Sequence, residues 1–316
     1  MEKAKISYGT HHAVRSFFLC LLLSLISLMG HGQYRIPQAR SLSGKPLFSE
    51  IVDVKTTEKC DSILYVIQSK ESLSEDDFIE VGRQLVKKAH YREAVANFSE
   101  GLVRFPNSYK LLQYRGHYCL TLRKLDRSLN DLLKARALIK SQPDSWEEDA
   151  TGKRTDTYQH FIEYDLGVYY FLKRSYQEAA TAFETSLKEA HDPNEMVKTS
   201  DWLYNAYMRD SRVSEAEKLL ATITPEFKSD HERPYFVRIM LYKGLSRPNE
   251  LIAETGSPDQ WSTQQVARAF GVANWYTFQG DTKNAKEMYN KITQSSKWTT
   301  FPYLVAEVEL MKVKFN

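Results

Sequence analysis

The chain repeats one pattern of small and large residues at intervals of about 34 residues. Small, small, large and small residues recur in one register: Gly82, Ala94, Phe98 and Gly101, then Gly116, Ser128, Leu132 and Ala135, then Gly167, Ala179, Phe183 and Ser186. Apolar residues three and four apart within each interval predict two amphipathic helices. Such a pair leaves an apolar face that only the next pair can cover. The sequence therefore predicts an all-α solenoid of stacked helix-turn-helix units.

About six units and a C-terminal capping helix are predicted over residues 75–315. The predicted boundaries are 75–108, 109–142, an insertion at 143–159, 160–193, 197–230, a degenerate unit at 233–256, 266–299, and a capping helix at 302–314. Residues 33–74 are predicted to form an extended segment and a possible capping helix. The polar insertion around Trp146 is expected to form a loop, and its role stays open.

These residues resemble the tetratricopeptide repeat (TPR) family, whose 34-residue unit is a helix-turn-helix with small and large residues at set places. The positions that carry the resemblance are Gly82, Ala94, Phe98, Pro106, Gly116, Gly167, Ala179, Phe183, Ala216 and Ala285. Small residues let paired helices approach closely, and the large residue fills the space between them. The resemblance is specific for fold and implies little about function.

The first 32 residues have the features of a signal peptide. Lys3, Lys5 and Arg15 precede an uncharged apolar run at 17–29, and small residues follow at Gly30 and Gly32. As a helix the run would be about 20 Å long, too short for a hydrocarbon core of about 30 Å. Cleavage near Gly32 is therefore favoured over an uncleaved anchor. We expect an exported protein, periplasmic or secreted, with no stable membrane span after cleavage.

The net charge of the chain bears on whether it binds nucleic acid, and its cysteines bear on whether it contains a disulfide. Removing the leader takes away three basic residues and one acidic residue, so the formal charge falls from +3 to +1. Because no block of like charges remains, we expect no nucleic-acid partner. Cys60 and Cys119 remain after cleavage, and whether they form a disulfide is left open.

Motifs of catalysis and metal binding are not found in the sequence. The histidines of the mature chain have no i, i+4 spacing, so we expect no metal and no cofactor. The segment ending in Gly152 and Lys153 lacks the first glycine and the hydroxyl residue of a phosphate-binding loop. We therefore expect a protein that is not an enzyme.

Candidate binding residues follow from the family resemblance, in which the first helix of each pair lines a concave groove. The matching positions are Arg83, Lys87, Gln113, His117, Tyr164, Phe171, Asn205 and Arg209. Tyr164 and Phe171 fit either an aromatic anchor for a partner or packing between units. The expected function is a non-catalytic scaffold outside the cytoplasm that binds a peptide or helix of a partner protein. The alternative is an accessory component of envelope assembly or of nutrient uptake through glycan binding.

Overall fold

The computed structural model describes residues 36–148, 154–230, 233–252 and 256–311, so the predicted signal peptide at 1–32 lies outside the described residues. The described part forms fourteen α-helices: α1 (Val54–Gln68), α2 (Glu75–Lys87), α3 (Tyr91–Arg104), α4 (Tyr109–Thr121), α5 (Leu125–Ile139), α6 (Tyr158–Leu172), α7 (Tyr176–Glu189), α8 (Pro193–Arg209), α9 (Val213–Thr222), α10 (Pro234–Tyr242), α11 (Pro248–Ile252), α12 (Thr263–Phe278), α13 (Thr282–Gln294) and α14 (Phe301–Leu310). Two short antiparallel hairpins pair β1 (Ala39–Arg40) with β2 (Pro46–Leu47) and β3 (Trp146–Glu148) with β4 (Arg154–Thr157).

Helices α2 to α13 form six consecutive helical hairpins that stack in chain order. The first helix of each hairpin contacts its own second helix and also the first helix of the next hairpin. This run of first helices continues from α2 through α4, α6, α8, α10 and α12 to α14. The predicted all-α solenoid is therefore confirmed.

The close approach of paired helices depends on the small residues of the register. A Cβ atom placed on Gly82 would lie 2.2 Å from the Phe98 ring, and one on Gly167 would lie 2.5 Å from the Phe183 ring. Both rings are fully buried. The glycine on one helix and the ring on the other therefore form one packing unit, which explains why they recur together.

Replacing Gly167 with alanine should lower the free energy of unfolding by about 1–3 kcal/mol, the usual cost of overpacking a core. The loss is expected even though alanine is the better helix former by about 1 kcal/mol. A double-mutant cycle with Phe183→Leu, followed by urea unfolding, measures the coupling between the two positions. Because the smaller side chain relieves the clash, the cost of Gly167→Ala should shrink in the Phe183→Leu background. Additive effects would contradict the packing described.

Every hairpin turns on a residue with left-handed backbone conformation. Six residues, one in each turn, have φ between 57° and 75°: Ala89, Arg123, Arg174, Ser211, Gly244 and Gly280. The next residue donates its N–H to the carbonyl five positions back, as from Lys124 to Cys119 at 2.8 Å. Glycine is the usual residue for this helix ending. A side chain there costs roughly 1–2 kcal/mol, yet the second and third turns carry arginine.

The two ends of the described chain meet. Residues 37–51, here called the strap, connect the first hairpin with the segment before α14. The N–H of Arg92 donates to Gln38 at 2.9 Å, the indole of Trp298 donates to the carbonyl of Phe48 at 2.7 Å, and Lys297 pairs with Glu50 at 2.6 Å. The segment that the sequence predicts to be extended is thus held at both of its ends.

The two cysteines are both buried, and in the described part of the chain neither forms a disulfide. Burial raises the pKa of the Cys119 thiol to about 11, which suits a packing role. None of the described helices has the length and apolar character needed to cross a membrane. Among the described residues, no cluster of three or more His, Cys, Asp or Glu side chains is placed to hold a metal ion.

Candidate functional site

The first helices α2, α4, α6 and α8 carry all eight predicted groove residues, and four of these are buried: Gln113, Tyr164, Phe171 and Asn205. The Phe171 ring packs edge-on against Trp202 of the next unit at 5.4 Å. Tyr164 packs against Phe183 at 5.8 Å. In this conformation both aromatics contribute to packing within and between units. Their role as a partner anchor stays a prediction.

Asp165 joins two of the predicted residues in a buried polar group. Its carboxylate accepts a hydrogen bond from the Gln113 amide at 3.0 Å and lies 3.0 Å from Nδ1 of His117. Burial by itself would lower the pKa of His117, but the charge of Asp165 outweighs it and raises that pKa above its usual value. The imidazole is therefore held in one orientation, with a third of its side chain exposed.

We call the face of the first helices that carries the predicted groove residues the inner face. Lys198 on α8 is a cation on this face that the predicted groove residues did not include. Its ammonium lies 4.5 Å from the centre of the Tyr164 ring and 5.7 Å from that of Phe161, and it pairs with Glu195. Burial by itself would lower the pKa of Lys198, but the Glu195 carboxylate raises it, so the ammonium stays charged. Lys198 lies seven residues, or about two helical turns, before the predicted groove residue Asn205. Extending the groove positions toward the start of α8 would therefore have found it.

A serine, a histidine and a carboxylate, the residue types of a hydrolytic triad, lie next to one another at Ser186, His160 and Glu195. Their contacts are those of side chains packed inside the protein. The Ser186 hydroxyl lies 3.0 Å from Nδ1 of His160 and also donates to the carbonyl of His160 at 3.0 Å. Ser186 and His160 have no exposed surface. A substrate could not reach the hydroxyl, so the three residues join α6, α7 and α8 structurally.

The helix α14 occupies part of the inner face. Arg123 donates to Glu307 through Nε at 3.2 Å and Nη2 at 3.1 Å, a bidentate pair in which both side chains are buried. On α14 the ring of Phe301 lies 5.2 Å from His117 and 6.3 Å from Tyr164. The C-terminal helix therefore contacts the second and third units as well as its neighbour α13.

Two further arginines hold the other acidic residue of this helix. Arg209 donates to Glu309 at 2.8 Å, and Arg174 lies 3.6 Å from the same carboxylate and donates to the carbonyl of Val308 at 3.2 Å. Arg123, Arg174 and Arg209 are here called the arginine row. Of the three, the sequence identified Arg209 alone, because Arg123 and Arg174 lie in turns where apolar periodicity gives no signal.

The insertion covers another part of the inner face. Arg83 donates to the carbonyl of Glu148 at 2.6 Å, and the Tyr114 hydroxyl donates to Glu147. Buried Asp156 accepts from the backbone N–H of His191 at 3.0 Å and of Asp192 at 3.2 Å. The polar segment that the sequence predicts to be a loop therefore contains a hairpin fixed to α2, α4 and the turn before α8.

No protein-family model and no curated protein sequence matches the chain. Among solved structures it is similar to a Podosopora anserina protein described as a kinesin light chain with nearly identical TPR-like repeats, at 13% identity over 75% of this chain and 94% of that chain, with a TM-score of 0.39. A single-residue variant of that protein gives 12% identity, 76% and 95% coverage and the same TM-score of 0.39. The structure of Naa15/Naa10 bound to HypK-THB gives 19% identity, 83% and 38% coverage and a TM-score of 0.34.

These structural neighbours are TPR-like repeat proteins at low identity. Because these TM-scores are low, it is the stacked hairpins of the chain itself that establish the all-α solenoid.

Apart from Arg209, which is paired with Glu309 of α14, five inner-face residues keep part of their surface exposed. We call them the inner patch: Arg83, Lys87, His117, Phe161 and Lys198. They stand on the four successive first helices α2, α4, α6 and α8. Lys87 is exposed, whereas Arg83 and Lys198 show 21% and 19% of their side chains. The patch combines cationic groups with an aromatic ring, and such surfaces suit recognition of a polypeptide.

Proposed function

We propose that this chain is an exported, non-catalytic scaffold that holds a segment of a partner protein against the inner patch. The observation that carries the proposal is the alignment of partly exposed cationic and aromatic side chains on four successive first helices. Arginine and aromatic side chains dominate the energetics of many protein interfaces. The leader-like sequence at 1–32 is the ground for placing the protein outside the cytoplasm.

The chemistry of the site favours binding over catalysis. His117 is oriented by Asp165, but its neighbours include the rings of Phe301 and Tyr118, whose centres lie 5.2 Å and 4.9 Å from the centre of the imidazole. Lys198 is engaged by Glu195 and by the face of Tyr164. Charged side chains that are fixed by ion pairs and by contacts with aromatic rings present a ligand with groups in defined positions.

Position-specific photocrosslinking in the native host tests this function. A crosslinking residue at Lys87 or Phe161 is expected to capture a defined partner, whereas one at exposed Glu100 on α3 or Lys218 on α9 is not. In addition, Lys87→Glu should weaken partner binding by about tenfold, which is about 1.4 kcal/mol. The matched control is Lys218→Glu, the same charge reversal on α9, the second helix of its hairpin. Equal capture from both sets of positions would count against the inner patch.

A further inference from the structure

We propose that a groove between the second and third units, lined by α5, α6 and α7, binds a small zwitterion of the α-amino acid class. The groove, here called the outer groove, has a volume of about 490 Å³. Arg136 and Lys140 of α5 line one wall, α7 lines the other, and Glu163 belongs to α6, which contacts both helices. Sites for small molecules typically have volumes of about 300–1,000 Å³.

The outer groove is separate from the inner patch. Gln159 and Glu163 line it, and each stands two residues from Phe161 on α6. Residues two apart on a helix do not share a face, so the groove lies on a different side of α6 from the inner patch. The inference therefore goes beyond the proposed function, and the two can fail independently.

Glu163 is a charged residue at a position that is apolar in the first two units. It stands four residues before Gly167, and the residues four before the corresponding glycines of the first two units are Phe78 and Leu112. All three side chains are buried. A buried carboxylate at such a position costs free energy unless it receives hydrogen bonds.

Arg136 on α5 is the same kind of exception. It follows Ala135, and the corresponding residue of the first unit is the buried Leu102. The first and second units therefore have Leu102 on α3 and Leu112 on α4 where the second and third have Arg136 and Glu163. Leucines would serve packing equally well, because replacing a buried ion pair with apolar side chains is often neutral or stabilising.

The two charges are loosely paired. Nη1 of Arg136 lies 3.8 Å from Oε2 of Glu163, beyond hydrogen-bonding distance, and neither side chain has a hydrogen bond to another described residue. Burial raises the pKa of Glu163 above its usual value, although Arg136 and Lys140 oppose the shift. The carboxylate thus lacks donors and the guanidinium lacks acceptors, side by side in an open groove.

A zwitterion supplies both missing partners. Its ammonium donates to Glu163, while its carboxylate accepts from Arg136 and Lys140. Such charge-assisted hydrogen bonds are roughly twice as strong as the neutral ones that water or a hydroxyl group makes. The ammonium and carboxylate of an α-amino acid are attached to one carbon atom, which suits charges that lie 3.8 Å apart. The rest of the groove, with Tyr170 and Thr181, leaves room for the side chain of the ligand.

Titration of the full-length chain with amino acids tests the proposal. The twenty standard amino acids are screened by thermal shift at about 10 mM, which reveals a site with a Kd of about 0.1 mM. At least one is expected to bind, and calorimetry then compares it with its N-acetyl and amide derivatives, which lack the ammonium and the carboxylate. Each derivative should bind at least about tenfold more weakly. Failure of all twenty to bind would overturn the proposal, and so would equal binding of either derivative.

A double variant separates ligand binding from packing. Arg136→Leu with Glu163→Leu gives this interface the residues of the preceding one, so the chain should remain folded but bind the amino acid at least about tenfold more weakly. Glu163→Gln keeps the size of the side chain and should weaken binding by a similar factor. Glu100→Gln, on the exposed surface of α3, is the matched control and should bind as the wild type does. Unchanged binding by Glu163→Gln or by the double variant would contradict the assignment.

Discussion

Arg123→Ala should lower the free energy of unfolding by about 3–5 kcal/mol, the usual cost of removing one partner of a buried ion pair. Glu307 shows only 6% of its side chain and accepts two hydrogen bonds from Arg123. Burial already raises the pKa of Glu307, and losing the guanidinium would raise it further. Urea unfolding followed by tryptophan fluorescence measures the change, since Trp298 lies beside Arg123.

Two variants make the Arg123 experiment specific. Arg127→Ala removes an exposed arginine four residues later on α5 and should change stability by no more than about 0.5 kcal/mol. Arg123→Lys keeps the charge but loses the bidentate geometry, so it should fall between the alanine variant and the wild type. A loss below about 1 kcal/mol for Arg123→Ala would mean that the pair does not hold α14 in solution.

Arg238→Met is expected to lower the free energy of unfolding by about 3–5 kcal/mol, as Arg123→Ala does, but through a different buried ion pair. Arg238 on α10 and Asp201 on α8 have no exposed surface, and their Nη2 and Oδ2 atoms lie 2.6 Å apart. Burial raises the pKa of Asp201 to about 7 in spite of the arginine. Without Arg238, the carboxyl group would have to take up a proton to remain buried.

The double variant Arg238→Met with Asp201→Leu should recover most of the stability, because replacing a buried ion pair with apolar side chains is often neutral. Thermal unfolding of the wild type, both single variants and the double variant gives the coupling energy. Gly271 limits the choice of replacement, since a Cβ atom there would lie 2.4 Å from the Arg238 side chain. A double variant less stable than either single variant would show that the pair itself stabilises the fold.

The stacked hairpins were predictable from sequence because their determinants are local. Gly167 and Phe183 lie on the two helices of one unit, and the same residue types recur in the units before it. The register therefore identified paired helices without knowledge of how the units curve. The family resemblance placed the candidate residues on the first helices for the same reason.

The two segments that cover parts of the inner face, α14 and the insertion hairpin, could not be predicted in this way. Arg123 and Glu307 are 184 residues apart, and their meeting depends on the curvature that accumulates over several units. The insertion hairpin is held by backbone N–H groups that donate to Asp156, and such acceptors leave no pattern in the sequence. Tyr164 and Phe171 lie on the first helix of their unit, but packing with Phe183 and Trp202 decides their exposure.

The strap also affects how this chain can fold. In most repeat arrays each unit depends on its sequence neighbours, so folding can begin anywhere and spread. Here Phe48 and Trp298 are joined across 250 residues. Contacts at such separation carry a large loop-closure entropy and slow folding. The strap cannot reach its final position until the segment before α14 has been synthesised, so the first residues of the fold are among the last to be fixed.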